Sequence, residues 1–123
     1  MKKALVLYGA TELGPPDFSS DILWRTGFKA PDPFPFVEVE GKKFILAAPL
    51  EIERVTKEAR VDEIISLHDY IERTEHKTET EALLLFLKEM EVTDVVIPQT
   101  FPYALGKAFE ENFSVEVKKP PFY

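Results

Sequence analysis

The chain has 123 residues, of which 45% are hydrophobic and 30% are charged, and its formal net charge is −7. A chain of this length and composition is expected to fold as one globular domain around a single core. The negative charge argues against a nucleic-acid partner, because such binding depends on cationic side chains that neutralise phosphates. The absence of cysteine excludes disulfides, thiolate metal sites and a cysteine nucleophile.

The apolar run near the N-terminus, residues 4–8, predicts a strand. It is shorter than the roughly 7 to 15 apolar residues of a secretory signal. No run reaches the roughly 18 apolar residues that cross a bilayer, so we expect a soluble, cytoplasmic protein without a membrane partner. Gln99 and Asn112 are the only carboxamides in a chain rich in Glu and Lys, a bias associated with thermophilic proteins.

A loop and a short helix follow this first strand. Residues 11–17 contain Gly14-Pro15-Pro16 and are predicted to be a loop. Ser19 or Ser20 can cap a helix through residues 21–25, and Thr26-Gly27 is typical of its end. The two serines are therefore interpreted as helix caps, since no His-Asp pair lies beside them to activate a nucleophile.

Prolines then set the backbone before a predicted hairpin. Pro31, Pro33 and Pro35 fix φ and remove backbone donors, so residues 29–35 are expected to form an extended loop and neither a helix nor a central strand. The next two runs, 36–40 and 43–47, flank Gly41-Lys42, which predicts a β-hairpin.

The second half of the chain alternates helices and strands. Thr78 and Glu81 have capping-box spacing and predict the start of an apolar helix. The other predicted elements are a helix at about 50–60 with i, i+4 ion pairs Glu53/Lys57 and Arg54/Glu58, a strand at 63–67, a helical turn at 69–73, a strand at 94–98, a helix at 102–112 and an edge strand containing Val115 and Val117.

This order of elements predicts an α/β fold. Alternating strands and helices imply a sheet covered on both faces, while the hairpin makes the sheet mixed. We expect a three-layer α/β/α domain with about five to six strands over residues 1–117, and residues 118–123 as the start of a linker.

Candidate chemistry is sparse. Gly9 stands alone after the first strand, so no phosphate-binding glycine loop is predicted. The only histidines, His68 and His76, lie among acidic residues, but solvated side chains explain them better than a metal site. A two-metal nuclease site is not expected either, because the first strand supplies no carboxylate.

Aromatic residues surround the proline-rich segment. Trp24, Phe28, Phe34 and Phe36 fall within a short stretch. Two interpretations remain open from the residues alone: the rings pack in the core, or some of them form an exposed binding rim.

Three strings of residues resemble one known family. Residues 20–28, SDILWRTGF, are similar to the motif that precedes a hairpin in the N-terminal domains of creatinase, prolidase and aminopeptidase P. Residues 44–54, FILAAPLEIER, and 59–64, ARVDEI, resemble the following strand and helix in Xaa-Pro peptidases, and all three occur in the family order.

The resemblance implies a non-catalytic N-terminal domain with a ribonuclease H-like sheet. The complete enzyme would carry a C-terminal pita-bread domain that holds two divalent metal ions, of the manganese or cobalt type, and hydrolyses the bond before proline in short peptides. This chain itself would hold no metal and no cofactor. Asp21 and Asp32 have the spacing of two metal-binding aspartates of the family, but they fall in the wrong domain, and we interpret the match as coincidence.

The resemblance also implies partners and contact residues. The N-terminal domain would contact its own catalytic domain and a second copy in a homodimer, and its loop would border the substrate entrance. By position the contact residues are Trp24, Arg25, Phe28, Lys29 and Asp32. Arg25 departs from the family pattern, in which leucine often stands. An alternative function from another class is a free-standing interaction module that dimerises through its aromatic, proline-rich loop.

Overall fold

The structure, a computed structural model, describes residues 2–12 and 18–119, and within these it forms six strands and five helices. The predicted turn at Gly14-Pro15-Pro16 lies outside the described residues. The elements in chain order are β1 (Lys2–Gly9), α1 (Ser20–Thr26), β2 (Phe34–Val39), β3 (Lys42–Ala47), α2 (Ile52–Glu58), β4 (Glu63–Ser66), α3 (Leu67–Glu72), α4 (Glu79–Glu89), β5 (Val92–Pro98), α5 (Tyr103–Asn112) and β6 (Ser114–Lys118).

The strands form one mixed sheet in the order β4-β3-β2-β1-β5-β6. Strand β2 runs antiparallel to both of its neighbours, whereas the other three pairings are parallel. Strands β1 and β5 meet with Ala4 opposite Val95 and Leu5 opposite Val96. The predicted mixed α/β sheet is therefore confirmed.

Side chains alternate between the two faces of the sheet and build two separate cores. On one face Val6, Phe44 and Phe86 belong to a large cluster closed by α3, α4 and α5. On the other face Leu7, Ile22 and Val55 belong to a smaller cluster closed by α1 and α2. Helices thus cover both faces, as the three-layer prediction requires.

The hairpin prediction is confirmed, but the turn lies at Glu40-Gly41 and not at the predicted Gly41-Lys42, because Lys42 already belongs to β3. Its turn residues are Glu40 and Gly41, both at positive φ (50° and 81°), as a two-residue hairpin turn requires. The prediction that the loop runs through Pro35 is wrong, since Pro35 lies in β2 opposite Tyr8 of β1. Pro35 lies near the start of β2, where pairing with β3 has not yet begun, a position in which proline is found in sheets.

The remaining elements match the predicted order with small shifts at their ends. Helix α2 spans only 52–58, because Pro49 and Leu50 form a turn before it. Strand β6 continues through Lys118, which pairs with Pro98, one residue beyond the predicted end of the domain. Within the described residues, no helix is both long and apolar enough to cross a membrane.

Candidate functional site

The contact residues expected from the sequence centre on α1, whose two ends are fixed by side-chain and backbone caps. Ser19 Oγ accepts a hydrogen bond from the Ile22 N–H at 3.2 Å, which confirms Ser19 as the N-cap. Gly27 ends the helix at φ 67°, with its N–H donating to Leu23 O at 2.8 Å. This left-handed cap turns the chain sharply away from the helix and into the proline-rich loop.

Trp24 lies on the outer surface of α1. The residue is 58% exposed, and it is one of the few large hydrophobic residues on the described surface. The guanidinium of Arg60 donates to Trp24 O at 3.3 Å, and the Arg60 N–H donates to Thr26 O at 2.7 Å. The side chain and the backbone of Arg60 therefore each satisfy one carbonyl at the C-terminal end of α1, and the guanidinium places a cation where the helix dipole is negative.

Arg25 points toward the sheet and forms a half-buried ionic group. Its side chain is 12% exposed, with Nε 3.4 Å from Glu38 Oε1 and Nη1 3.9 Å from Asp21 Oδ1. The Asp21 side chain is 6% exposed. Because charges this far from water are stable only when paired, Arg25 couples α1 to β2. Its guanidinium also lies 5.5 Å from the centre of the Trp24 ring, within cation–π range.

Phe28 faces the interior, in contrast to Trp24. It is 1% exposed and meets Phe34 edge to face, with ring centres 5.7 Å apart. The guanidinium of Arg54 lies 5.1 Å from the Phe28 ring centre, and Arg54 Nη2 donates to Lys29 O at 2.6 Å. The arginine thus clamps this part of the loop onto α2.

Thr11 joins β1 to the same loop. Its hydroxyl donates to Phe28 O at 2.6 Å and accepts from the Ala30 N–H at 2.7 Å, and the side chain is fully buried. The Thr11 N–H also donates to Ala30 O at 3.0 Å. One threonine therefore supplies partners to three backbone groups of a segment that makes no sheet ladder of its own.

The structure separates the five expected contact residues into two groups. Trp24, Lys29 and Asp32 are exposed, whereas Arg25 is half-buried and Phe28 is buried. Phe28 can therefore act on the surface only by supporting its neighbours. Thr11, Arg54 and Arg60, which position this surface, were not found from the sequence, because each acts across a long separation that no local pattern reveals.

The acidic and histidine side chains do not converge. His68 Nε2 lies 3.7 Å from Glu72 and His76 Nδ1 lies 3.1 Å from Glu81, each within one local segment. Among residues 2–12 and 18–119, no group of three or more His, Cys, Asp or Glu side chains is placed to hold a metal ion. Asp21, one of the two aspartates with family spacing, is instead engaged with Arg25.

The fold and this surface define an α/β/α domain with one antiparallel strand inside an otherwise parallel sheet. Solved structures with the same fold include a Xaa-Pro dipeptidase from Bacillus anthracis, with a TM-score of 0.67 and 12% identity. The match covers 96% of this chain and 29% of that one.

Two shorter chains share the fold as well. An Xaa-Pro aminopeptidase from Streptococcus pyogenes matches with a TM-score of 0.64 and 9% identity, over 94% of this chain and 78% of that one. A creatinase N-terminal superfamily domain of a dipeptidase from Streptococcus thermophilus matches with a TM-score of 0.59 and 9% identity, over 96% of this chain and 81% of that one.

These likenesses confirm, at the level of the fold, the resemblance read from residues 20–28, 44–54 and 59–64. Their identities are low, so what they share with this chain is architecture. No family model matches the chain, and no curated protein matches it significantly. The chain spans less than a third of the length of the B. anthracis dipeptidase.

Proposed function

We propose that the chain is the N-terminal, non-catalytic domain of a Xaa-Pro metallopeptidase of the aminopeptidase P or proline dipeptidase type. Its role is to support oligomerisation and to border the substrate entrance, while hydrolysis of the bond before proline takes place in a C-terminal domain. The observation that carries the proposal is the exposed Trp24 on a rigidly capped α1, within a fold shared with such peptidases.

The surface suits contact with another protein. Trp24 offers a large apolar ring, and aromatic residues are enriched at the centres of interfaces. Arg60, Arg54 and Thr11 fix the backbone around it through hydrogen bonds of 2.6–3.3 Å. A preorganised anchor loses little conformational entropy when a partner binds. Lys29 and Asp32 add exposed charge in the segment that follows α1.

Catalysis would belong to the second domain. Two divalent ions of the manganese or cobalt type would there activate a water molecule and polarise the scissile carbonyl. Among the described residues of this chain, no three or more His, Cys, Asp or Glu side chains are placed to hold such an ion.

Two measurements test the peptidase assignment. The gene is read beyond the codon for Tyr123, where a second domain with two Asp, one His and two Glu ligands is expected. The 123-residue chain is also assayed with Mn²⁺ or Co²⁺ on an Xaa-Pro dipeptide, and no turnover is expected. Robust turnover by this chain alone contradicts the non-catalytic role, and a stop codon favours the free-standing interaction module.

The contact role is tested with Trp24→Ala. We expect weaker self-association by analytical ultracentrifugation, with the free energy of unfolding changed by less than about 0.5 kcal/mol, as for other surface substitutions. The matched control is Tyr103→Ala, because Tyr103 is a 79% exposed aromatic on a different helix. An equal loss of association in both variants would show that Trp24 has no special place in the interface.

A further inference from the structure

A cleft opens at the edge of the sheet where β3 ends and β2 begins. Its volume is about 150 Å³, and its walls come from residues 31–35, the start of α2 and the apolar side chains of Phe28, Phe34 and Val55. A cavity of roughly 150 Å³ with aliphatic and aromatic walls accommodates a benzene-sized molecule. The carboxyl ends of parallel strands, where β3 and β4 finish beside this cleft, are also the usual place for ligands in α/β sheets.

Glu79, the first residue of α4, borders this cleft and a second depression. The second has a volume of about 220 Å³ and lies between the starts of α4 and α5, where Tyr8 and Leu105 also line it. Glu79 Oε1 is buried and accepts no hydrogen bond from the described residues. A carboxylate oxygen removed from water without a donor costs free energy, which a bound cation would offset.

The charged side chains that line the two depressions are all acidic. Asp32, Glu51 and Glu79 line the benzene-sized cleft, and no Lys, Arg or His side chain lines either depression. Glu51 is already paired with Arg54 at 2.7 Å. No ion pair of Asp32 or Glu79 is found in the described part of the chain, so their charges are complementary to a positively charged ligand and repel an anion.

We propose that this cleft binds a small organic cation, an ammonium group carried on a benzene-sized apolar body. The body occupies the space between Phe28, Phe34 and Val55, and the ammonium group hydrogen-bonds the Glu79 carboxylate. This combination of groups occurs in a free arylalkylamine such as benzylamine, and at the amino terminus of a peptide whose first residue is aromatic. The inference depends on the cleft alone and is independent of the proposed peptidase assignment.

Binding is measured by amide chemical-shift changes of the 123-residue chain at low salt. Benzylamine is compared with benzyl alcohol, which has the same ring and no charge. We expect benzylamine to shift amides around the cleft and to bind about tenfold more tightly or better, since a charge-assisted hydrogen bond is added. Tighter binding of phenylalaninamide than of benzylamine indicates a peptide amino terminus as the source, and the reverse order indicates a free amine.

Two variants and one control locate the site. Glu79→Gln keeps the shape of the side chain and is expected to abolish the preference for benzylamine. Ala48→Leu, at an exposed residue that lines the cleft, should fill the mouth and remove binding of both probes. Glu111→Gln makes the same charge change on the exposed surface of α5 and should leave binding unchanged.

Several results would overturn the proposal. Equal affinity for benzyl alcohol and benzylamine would show that no carboxylate takes part. A preference that survives in Glu79→Gln, or shifts confined to residues away from the cleft, would place the binding elsewhere. Should Glu79→Gln fail to fold, benzylamine binding that persists in folded Ala48→Leu would exclude the cleft.

Discussion

The two sides of the sheet differ in how far buried polar groups add to their apolar packing. On the side of α3, α4 and α5, aromatic rings interlock: Phe86 meets Phe44 and Tyr70 edge to face, with ring centres 5.5 and 5.6 Å apart. On the side of α1 and α2 the apolar cluster is smaller, and buried polar groups such as Thr11 and Thr26 connect the segments. Both sides bury apolar side chains, and on the second side buried hydrogen bonds add directional constraints on the surface segments.

This difference explains where a partner surface can arise. Apolar packing tolerates small displacements of its side chains, whereas hydrogen bonds hold only over a narrow range of distance and angle. The α1–α2 side therefore fixes the positions of Trp24 and the loop more tightly than burial alone would. The four predictions below test this contrast, beginning with the largest expected effect.

Phe86→Ala should give the greatest loss of stability. Phe86 is 2% exposed and lies at the centre of the α3–α5 side, so its removal leaves a cavity between Phe44 and Tyr70. We expect the free energy of unfolding to fall by about 3–5 kcal/mol, measured by urea denaturation. Phe113→Ala, at a half-buried ring near the end of α5, is the control and should cost less. Similar losses in both would contradict a core centred on Phe86.

Thr11→Val tests the directional bonds of the other side. Valine has nearly the same shape, but it leaves Phe28 O and the Ala30 N–H without their hydroxyl partner. The expected loss is about 1–3 kcal/mol, because buried polar groups are left unsatisfied. Thr93→Val, at an exposed threonine, is the matched control and should stay within about 0.5 kcal/mol of the parent. A neutral Thr11→Val would mean that burial alone holds the loop.

Gly27→Ala tests the cap of α1. The left-handed φ of 67° costs an L-residue about 1–2 kcal/mol, and a Cβ at this position would meet the Arg60 guanidinium. Arg60 can swing away, but it then gives up its bond to Trp24 O. In an Arg60→Ala background the penalty should be smaller, because only the backbone strain remains. If Gly27→Ala costs the same free energy of unfolding with and without Arg60, the double-mutant cycle shows that Arg60 does not contribute to the cap of α1.

The smallest expected effect is a pH dependence on the α3–α5 side. The Arg73 guanidinium, followed by the Tyr70 hydroxyl, holds the pKa of Glu89 below its usual range. Since the folded-state pKa is depressed, the contribution is present above the ordinary glutamate pKa of about 4.3 and is lost as pH falls through the lower folded value. Glu89→Gln should therefore flatten the fall in melting temperature below about pH 4.3.

Glu111→Gln serves as the control in this titration, because Glu111 is exposed on α5. The melting temperature of this variant should fall at acid pH as that of the parent does. Both curves are expected to differ only slightly near neutral pH, where exposed ion pairs contribute little. If the melting temperature of Glu89→Gln fell at acid pH as steeply as that of the parent, the Arg73–Glu89 pair would not couple α3 to α4.

Local patterns were sufficient for the elements and their order. The apolar run 4–8, the helix start at Thr78 and the hairpin around Gly41 each encode structure within a few residues, and all three are confirmed. The prediction placed Pro35 in the loop, whereas it lies in β2, one residue before the pairing with β3 begins. The register between these two strands is not encoded by the proline itself.

The candidate surface was only partly accessible from the sequence. Trp24 and Phe28 lie in the same motif, yet one is exposed and the other buried, because Arg54 and Thr11 draw Phe28 inward from distant positions. Arg54 had been predicted only as a partner of Glu58, and that ion pair is also present at 3.7 Å. The sheet-edge cleft at Glu79 likewise depends on segments that meet only in the folded chain.

The central antiparallel strand has a consequence for how the domain assembles. The two-residue turn at Glu40-Gly41 lets β2 and β3 join with little loss of chain entropy, whereas β1 must find β5 from Lys2 to Val92. Ordering such distant partners is the slower event in folding kinetics. We therefore expect the β2–β3 ribbon to form early and the pairing of β1 with β5 to form late in folding.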